Sequence, residues 1–180
     1  MFLFNCSRFD RNLIFTILLL PTMLLTLMSA ANAADAIPAS PAFTPEQLLE
    51  TPSRNWVNNG GNVYNQRYSS LDDVNRDNVA NLKAEWRTHL RGSGVGPRFS
   101  GQAQSLVYEG ILYMITGAND VFALNVETGE ILWQYTANLD PEQINVCCGW
   151  TNRGVAMGDG KIFFGRLDAK LVALDQQTGE

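Results

Sequence analysis

The chain has 180 residues, a formal net charge of −5 and one histidine, His89. That length allows one domain with a sizeable core, and the acidic balance with scattered Lys and Arg argues against nucleic acid, which asks for a basic face. A single histidine excludes a His-based metal cluster and leaves little room for a Ser-His-Asp triad.

Taken in order, the chain opens on an export signal. Arg8 and Arg11 precede an apolar run from Leu13 to Met28, and Ser29-Ala30-Ala31-Asn32-Ala33 follows. A positive n-region, an apolar h-region and a small-x-small end read as a signal peptide over residues 1–33, cut after Ala33. A retained anchor is the rival reading, but the run holds Pro21 and falls short of the ~20 residues that a spanning helix needs. Cleavage removes Arg8, Arg11 and Asp10, so the formal charge of residues 34–180 becomes −6. It also removes Cys6 and leaves Cys147 and Cys148 as the remaining thiols.

Residues 34–43 are rich in Ala and Pro and read as an unstructured leader. Thr44-Pro45-Glu46-Gln47 then carries a helix start, with Thr as cap, Pro at the first helical position and Gln three after the cap; a short helix is expected to about Glu50. Residues 56–68 are turn-rich in Asn and Gly. Residues 72–82 can hold one helical turn with Val79 and Leu82 on one face.

From Leu82 onward short strands are expected: 83–88, 105–108, 111–116, 121–124, 131–135, 154–157, 161–165 and 170–174. Glu109-Gly110 and Gly158-Asp159-Gly160 mark hairpin turns among them. Residues 92–102 and 138–149 read as long irregular connections. Ala123-Leu124-Asn125-Val126-Glu127-Thr128-Gly129-Glu130 recurs as Ala173-Leu174-Asp175-Gln176-Gln177-Thr178-Gly179-Glu180, a period of 50 residues. Four short strands per repeat of that size indicate propeller blades. A blade needs neighbours to bury its faces, so residues 34–180 read as the N-terminal part of a larger propeller, from a truncated gene or a partial sequence.

Cys147-Cys148 is unusual. Adjacent Cα atoms lie ~3.8 Å apart across a trans peptide, below the ~4.4–6.8 Å of ordinary disulfides, so a bond between them closes a strained ring. The other reading is a reduced pair of small buried hydrophobes. An exported chain with an even number of cysteines favours oxidation.

The repeat Ala-x-Asp/Asn-x-x-Thr-Gly, followed in its first copy by Trp133, resembles the tryptophan-docking motif of the quinoprotein alcohol dehydrogenases. Cys147-Cys148-x-x-x-Asn152-Arg153-Gly154 is similar to the signature of that family's pyrroloquinoline quinone (PQQ) enzymes for methanol, ethanol and related alcohols. Trp56, Arg67-Tyr68-Ser69 and Asn78-Val79-x-Asn81-Leu82-x-x-x-Trp86 resemble its N-terminal segment. The resemblance implies an all-β, eight-bladed propeller of four-stranded blades, with its first blades here. It implies that a Cys147–Cys148 ring stacks on PQQ and that Arg153 pairs with a PQQ carboxylate, a match for a guanidinium fork. Where the family places a cofactor-contacting Glu, this chain has Gln102, or Gln104 if a gap shifts the register. Trp150 reads as a packing residue, and Asp120, Asp140, Asp159, Asp168 and Asp175 as turn formers.

The resemblance further implies a periplasmic enzyme that oxidises a primary alcohol by hydride transfer to PQQ and passes electrons to a cytochrome c. A homo-oligomer or a second subunit is compatible with it. Calcium or a lanthanide is expected as the metal, but the family's catalytic Asp and metal ligands have no matching positions in this chain. The alternatives are a non-enzymatic propeller scaffold of the outer-membrane assembly type and an inactive truncated gene product.

Overall fold

A computed structural model of the chain describes residues 36–92, 99–147 and 149–180, all within one unit, Ala34–Glu180. The signal-peptide reading of residues 1–33 lies outside the described residues. Among the described residues, a short helix α1 (Pro45–Leu49) and a 3-10 turn (Val79–Asn81) are followed by nine strands. These are β1 (Phe99–Gln104), β2 (Leu106–Tyr108), β3 (Ile111–Ile115), β4 (Val121–Asn125), β5 (Ile131–Tyr135), β6 (Trp150–Gly154), β7 (Ala156–Gly158), β8 (Lys161–Gly165) and β9 (Leu171–Asp175). Order β2-β3-β4-β5 makes an antiparallel four-stranded sheet, and β7-β8-β9 repeats its first three strands. The fold is the expected all-β one: β2–β5 belong to one propeller blade and β7–β9 to the next, and β1 pairs with β6 in a separate two-stranded sheet.

The local causes lie in the sequence. Glu109-Gly110 and Asp159-Gly160 both have positive φ at two successive residues (45° and 79°, 50° and 66°), the conformation of the tight hairpin turn that matches strand twist. Thr44 caps α1 as expected: its hydroxyl accepts from the Gln47 N–H, and the Gln47 amide oxygen accepts from the Thr44 N–H. In the repeated turns, the Asn125 side-chain oxygen accepts from the Glu127 and Thr128 N–H groups. Asp175 does the same for Gln177 and Thr178. The Thr178 and Gln177 amides hold the Asp175 carboxyl below the usual carboxylate range.

The blades meet through these turns. Trp133 on β5 donates its indole N–H to the Gln176 carbonyl at 3.0 Å, and a Cβ on Gly179 would stand 2.6 Å from the Trp133 ring. Glycine is therefore required there by close approach. Trp86 repeats the contact one step earlier, donating to the Val126 carbonyl at 2.8 Å against Gly129. Tyr113, Ala123 and Trp133 share one cross-strand row. The small Ala123 lets the two rings come to 6.0 Å between centroids. Ile111, Ile115 and Val121 of the first blade join Ile162, Phe164 and Leu174 of the second in one apolar core.

Three expectations change. The stretch 34–43 is not an unstructured leader over its described part: Ile37 and Ser40 are buried. Ser40 donates its N–H to Gln176 Oε1 at 2.8 Å, Asp159 N–H reaches the Pro41 carbonyl at 2.9 Å, and Gly160 N–H reaches the Ser40 carbonyl at 2.7 Å. The hairpin turn of the second blade needs acceptors for its N–H groups, and this strap supplies them. Residues 83–88 alternate like a strand but have no ladder among the described residues. Side chains tether the segment instead, with Thr88 Oγ1 donating to the Gly129 carbonyl and Gln134 Nε2 to the Arg91 carbonyl. β1 falls in a stretch expected to be irregular, because its pairing partner, β6, lies some fifty residues away. The turn at 79–82 is present, but Val79 and Leu82 are both exposed.

Candidate functional site

The site forms where the two blades begin. β1 runs into β2 through Ser105, and β6 into β7 through Val155, so the first strand of each blade is broken by one residue. The leading halves, β1 and β6, pair in parallel with Gly101 opposite Asn152 and Gln104 opposite Gly154. Two residues of β1, Gln102 and Ala103, therefore face one residue of β6, Arg153. That is a β-bulge, which re-aims side chains and is frequent beside functional sites.

Gly154 makes the close crossing possible. Its φ is 144°, and a Cβ there would press on the Gln104 carbonyl at 3.2 Å. Asn152 braces the same strand: its Nδ2 donates to the Gly165 carbonyl at 2.9 Å, and its Oδ1 accepts from the Gly154 N–H at 3.2 Å. The Asn-Arg-Gly triplet thus reads as brace, cation and crossing point. Trp150 is buried with Ala118, Ala137 and Leu139, a packing residue as expected.

The turn-rich segment 56–68 closes the site from a third side. Gly60 donates its N–H to Gln104 Oε1 at 2.9 Å, and Asn59 Nδ2 reaches the Arg153 carbonyl at 3.4 Å. Together these elements line an open cavity of about 530 Å³ bordered by Asn59, Asn65, Arg67, Gln102, Gln104 and Arg153. Among the described residues the lining is two guanidiniums and four amides, with no carboxylate. In a chain of net charge −5, that is a local reversal of sign. Such a cleft focuses field on an anion.

The expected site residues therefore fall as follows. Gln102 and Arg153 come together on facing strands and line one cavity. Cys147 is exposed, three residues before β6 in sequence. Cys148 lies outside the described residues, and with it the Cys147–Cys148 bond. Gln104, the alternative to Gln102, also lines the cavity, and its side-chain oxygen accepts from the Gly60 N–H. Sequence reasoning missed Arg67 as a site residue, together with Asn59 and Asn65. The available signal was weak: an Asn/Gly-rich turn ending in Arg67. Nothing local announces that it folds over a strand pair whose members are ~40 and ~90 residues further on. Among the described residues no group of three or more His, Cys, Asp or Glu gathers as a metal site.

Away from the cavity, charges serve structure. Arg166 pairs with Asp168 at 3.0 Å and donates to the Tyr135 hydroxyl at 2.7 Å. Lys170 and Arg166 hold the Asp168 carboxyl below its ordinary range. Asp120 is buried and accepts the Ala137 N–H at 2.8 Å.

Fold and site define a class: a β-propeller protein with an amide- and guanidinium-lined cleft at the start of adjoining blades. The family model for the PQQ (glucose/ethanol/alcohol dehydrogenase) β-propeller domain matches residues 56–180, and the chain belongs to that family. The quinoprotein alcohol dehydrogenase PedH of Pseudomonas putida is 40% identical over 161 residues, covering 88% of this chain and 26% of that protein. The quinohemoprotein alcohol dehydrogenase of Comamonas testosteroni superposes with a TM-score of 0.63 at 32% identity, over 71% of this chain and 18% of that one. A europium-containing methanol dehydrogenase does so with a TM-score of 0.64 at 33% identity, over 73% and 23%. The chain thus spans about a quarter or less of the length of these proteins.

Proposed function

We propose that this chain forms the first blades and part of the cofactor pocket of a periplasmic, PQQ-dependent dehydrogenase that oxidises a primary alcohol and delivers electrons to a cytochrome c. The observation that carries the reading is the cavity that joins Gln102 and Arg153 across the β1–β6 bulge. Membership of the PQQ family and relatives named as quinoprotein alcohol dehydrogenases support it.

The cavity suits the cofactor. Its volume falls in the ~300–1,000 Å³ range of sites for ligands of that size, and its lining offers N–H donors and positive charge to a polyanion. PQQ, when bound, supplies the hydride-accepting chemistry that amino-acid side chains lack. The chain's own residues bind and orient. Arg153 offers a fork that matches one carboxylate, and the exposed bulge residue Gln102 offers an amide that both donates and accepts. Asn152 and Gly154 fix the strand that carries Arg153. In this reading Cys147 and Cys148 form a flat sulfur ring against one face of the quinone. Calcium or a lanthanide is the proposed metal, and no described residue of this chain is assigned to hold it.

Equilibrium dialysis of PQQ against the exported chain tests the reading. Arg153→Gln should weaken binding at least tenfold, and Cys147→Ser with Cys148→Ser should weaken it further. Equal binding by the wild-type chain and all variants, or no binding by any, would leave a propeller scaffold as the better description.

A further inference from the structure

We infer that Arg67 is a second carboxylate-binding residue of the cavity, acting opposite Arg153 to select a ligand with more than one carboxylate; this rests on the function proposed above. Three observations carry it. Arg67 and Arg153 line one cavity from different parts of the chain. Among the described residues no other lining residue is charged, and none of the ion pairs uses either guanidinium. Two like charges facing a shared cleft repel each other, and a multivalent anion between them removes that repulsion. A monocarboxylate satisfies one fork; a polycarboxylate such as PQQ can engage both.

The third observation is how Arg67 is held. Its backbone is left-handed, at φ 55°, and so is that of Asn65, at φ 52°. Non-glycine residues adopt this region when the surroundings impose it, frequently at binding sites. Here the Arg67 N–H donates to the Gly60 carbonyl at 2.8 Å, and Arg67 Nε donates to Asn65 Oδ1 at 3.3 Å. Asn65 Oδ1 in turn occupies the space that a Cβ on Gly60 would fill. Gly60 itself is tied to Gln104 on β1. A chain of contacts therefore runs from the β1 wall of the cavity to the Arg67 guanidinium and sets its aim with one N–H while the others remain for a ligand.

The test uses PQQ and its uncharged trimethyl ester, with the full chain and the variants Arg67→Asn, Arg67→Lys and Arg153→Gln, each read by equilibrium dialysis at two salt concentrations. Asn tolerates a left-handed backbone, so Arg67→Asn keeps the turn. Arg67→Asn should weaken PQQ about tenfold and flatten the salt dependence, Arg67→Lys should recover part of the loss, and ester binding should not change. If Arg153→Gln weakens PQQ while Arg67→Asn does not, the role of Arg67 is overturned and the proposed function stands. If Arg67→Asn weakens the ester as much as PQQ, Arg67 is structural and the inference also fails. A wild-type chain that binds neither compound overturns the proposed function and this inference with it.

Discussion

At the scale of single residues, the site depends on backbone permissions as much as on charge. Gly154 follows Arg153 at φ 144° with the Gln104 carbonyl 3.2 Å from any added Cβ. Gly154→Val meets both the wrong φ and a backbone atom that cannot move aside. It should cost roughly 2 kcal/mol or more of stability, visible as a lower thermal midpoint, and should abolish PQQ binding. The buried Tyr113 offers a different readout. Burial pushes its phenol up to about 12 from 10.0, and the hydroxyl accepts from Gln176 Nε2 at 3.0 Å. A group with a raised folded pKa holds its proton more tightly in the native state, so its contribution is complete below pH 10 and is lost as pH rises toward 12. Thermal melts from pH 9 to 12 should show that alkaline loss, on the order of 2 kcal/mol, and Tyr113→Phe should reduce its slope.

At the scale of elements, the unit of cohesion is a tryptophan from one strand set against the turn of the next blade. Trp133 is buried, hydrogen-bonded and packed at a tilt against Tyr113, whereas Trp86 is half-buried and reaches a single carbonyl. Trp133→Ala should therefore cost about 3–5 kcal/mol in urea unfolding, and Trp86→Ala clearly less; equal costs would contradict this account of docking. Gly179→Ala forces a methyl against the Trp133 ring and should lose much of the same stability without touching the ring itself. The motif's other positions follow from the same packing. Asn125 and Asp175 hold the turn together, and Ala123 makes room in the row between Tyr113 and Trp133.

At the scale of the whole molecule, one buried side chain connects three distant parts of the chain. Gln176 is fully buried, accepts from the Ser40 N–H, donates to Tyr113, and lends its carbonyl to Trp133. Strap, first blade and second blade meet there. Gln176→Leu leaves the Ser40 N–H without its acceptor and should cost about 1–3 kcal/mol, and hydrogen exchange should then open residues 36–41 first. The proposed export belongs to this scale too. The secreted protein should begin at Ala34 by intact mass; a mature chain that retains residues 1–33 would favour the membrane-anchor reading.

Much is legible in the sequence alone, because it rests on short-range chemistry. The Thr44–Gln47 box, the Glu109-Gly110 and Asp159-Gly160 turns, the strand alternation and the Thr-Gly turn inside each copy of the repeat are each decided by residues within a few positions of one another. Arg153 is visible as a candidate through a local signature, and Gln102 only as the residue that stands where the resembled family has a Glu. What sequence could not supply was pairing at long range. The parallel β1–β6 contact, its bulge, the seated strap at 36–43 and the turn that carries Arg67 to Arg153 each join residues tens of positions apart. Even the alternation at 83–88 did not settle its state, since a strand exists only with a hydrogen-bonded neighbour. The blades were thus written into the chain by local propensity and spacing, while the cavity between them arises from close approach of distant backbones, which only the tertiary structure decides.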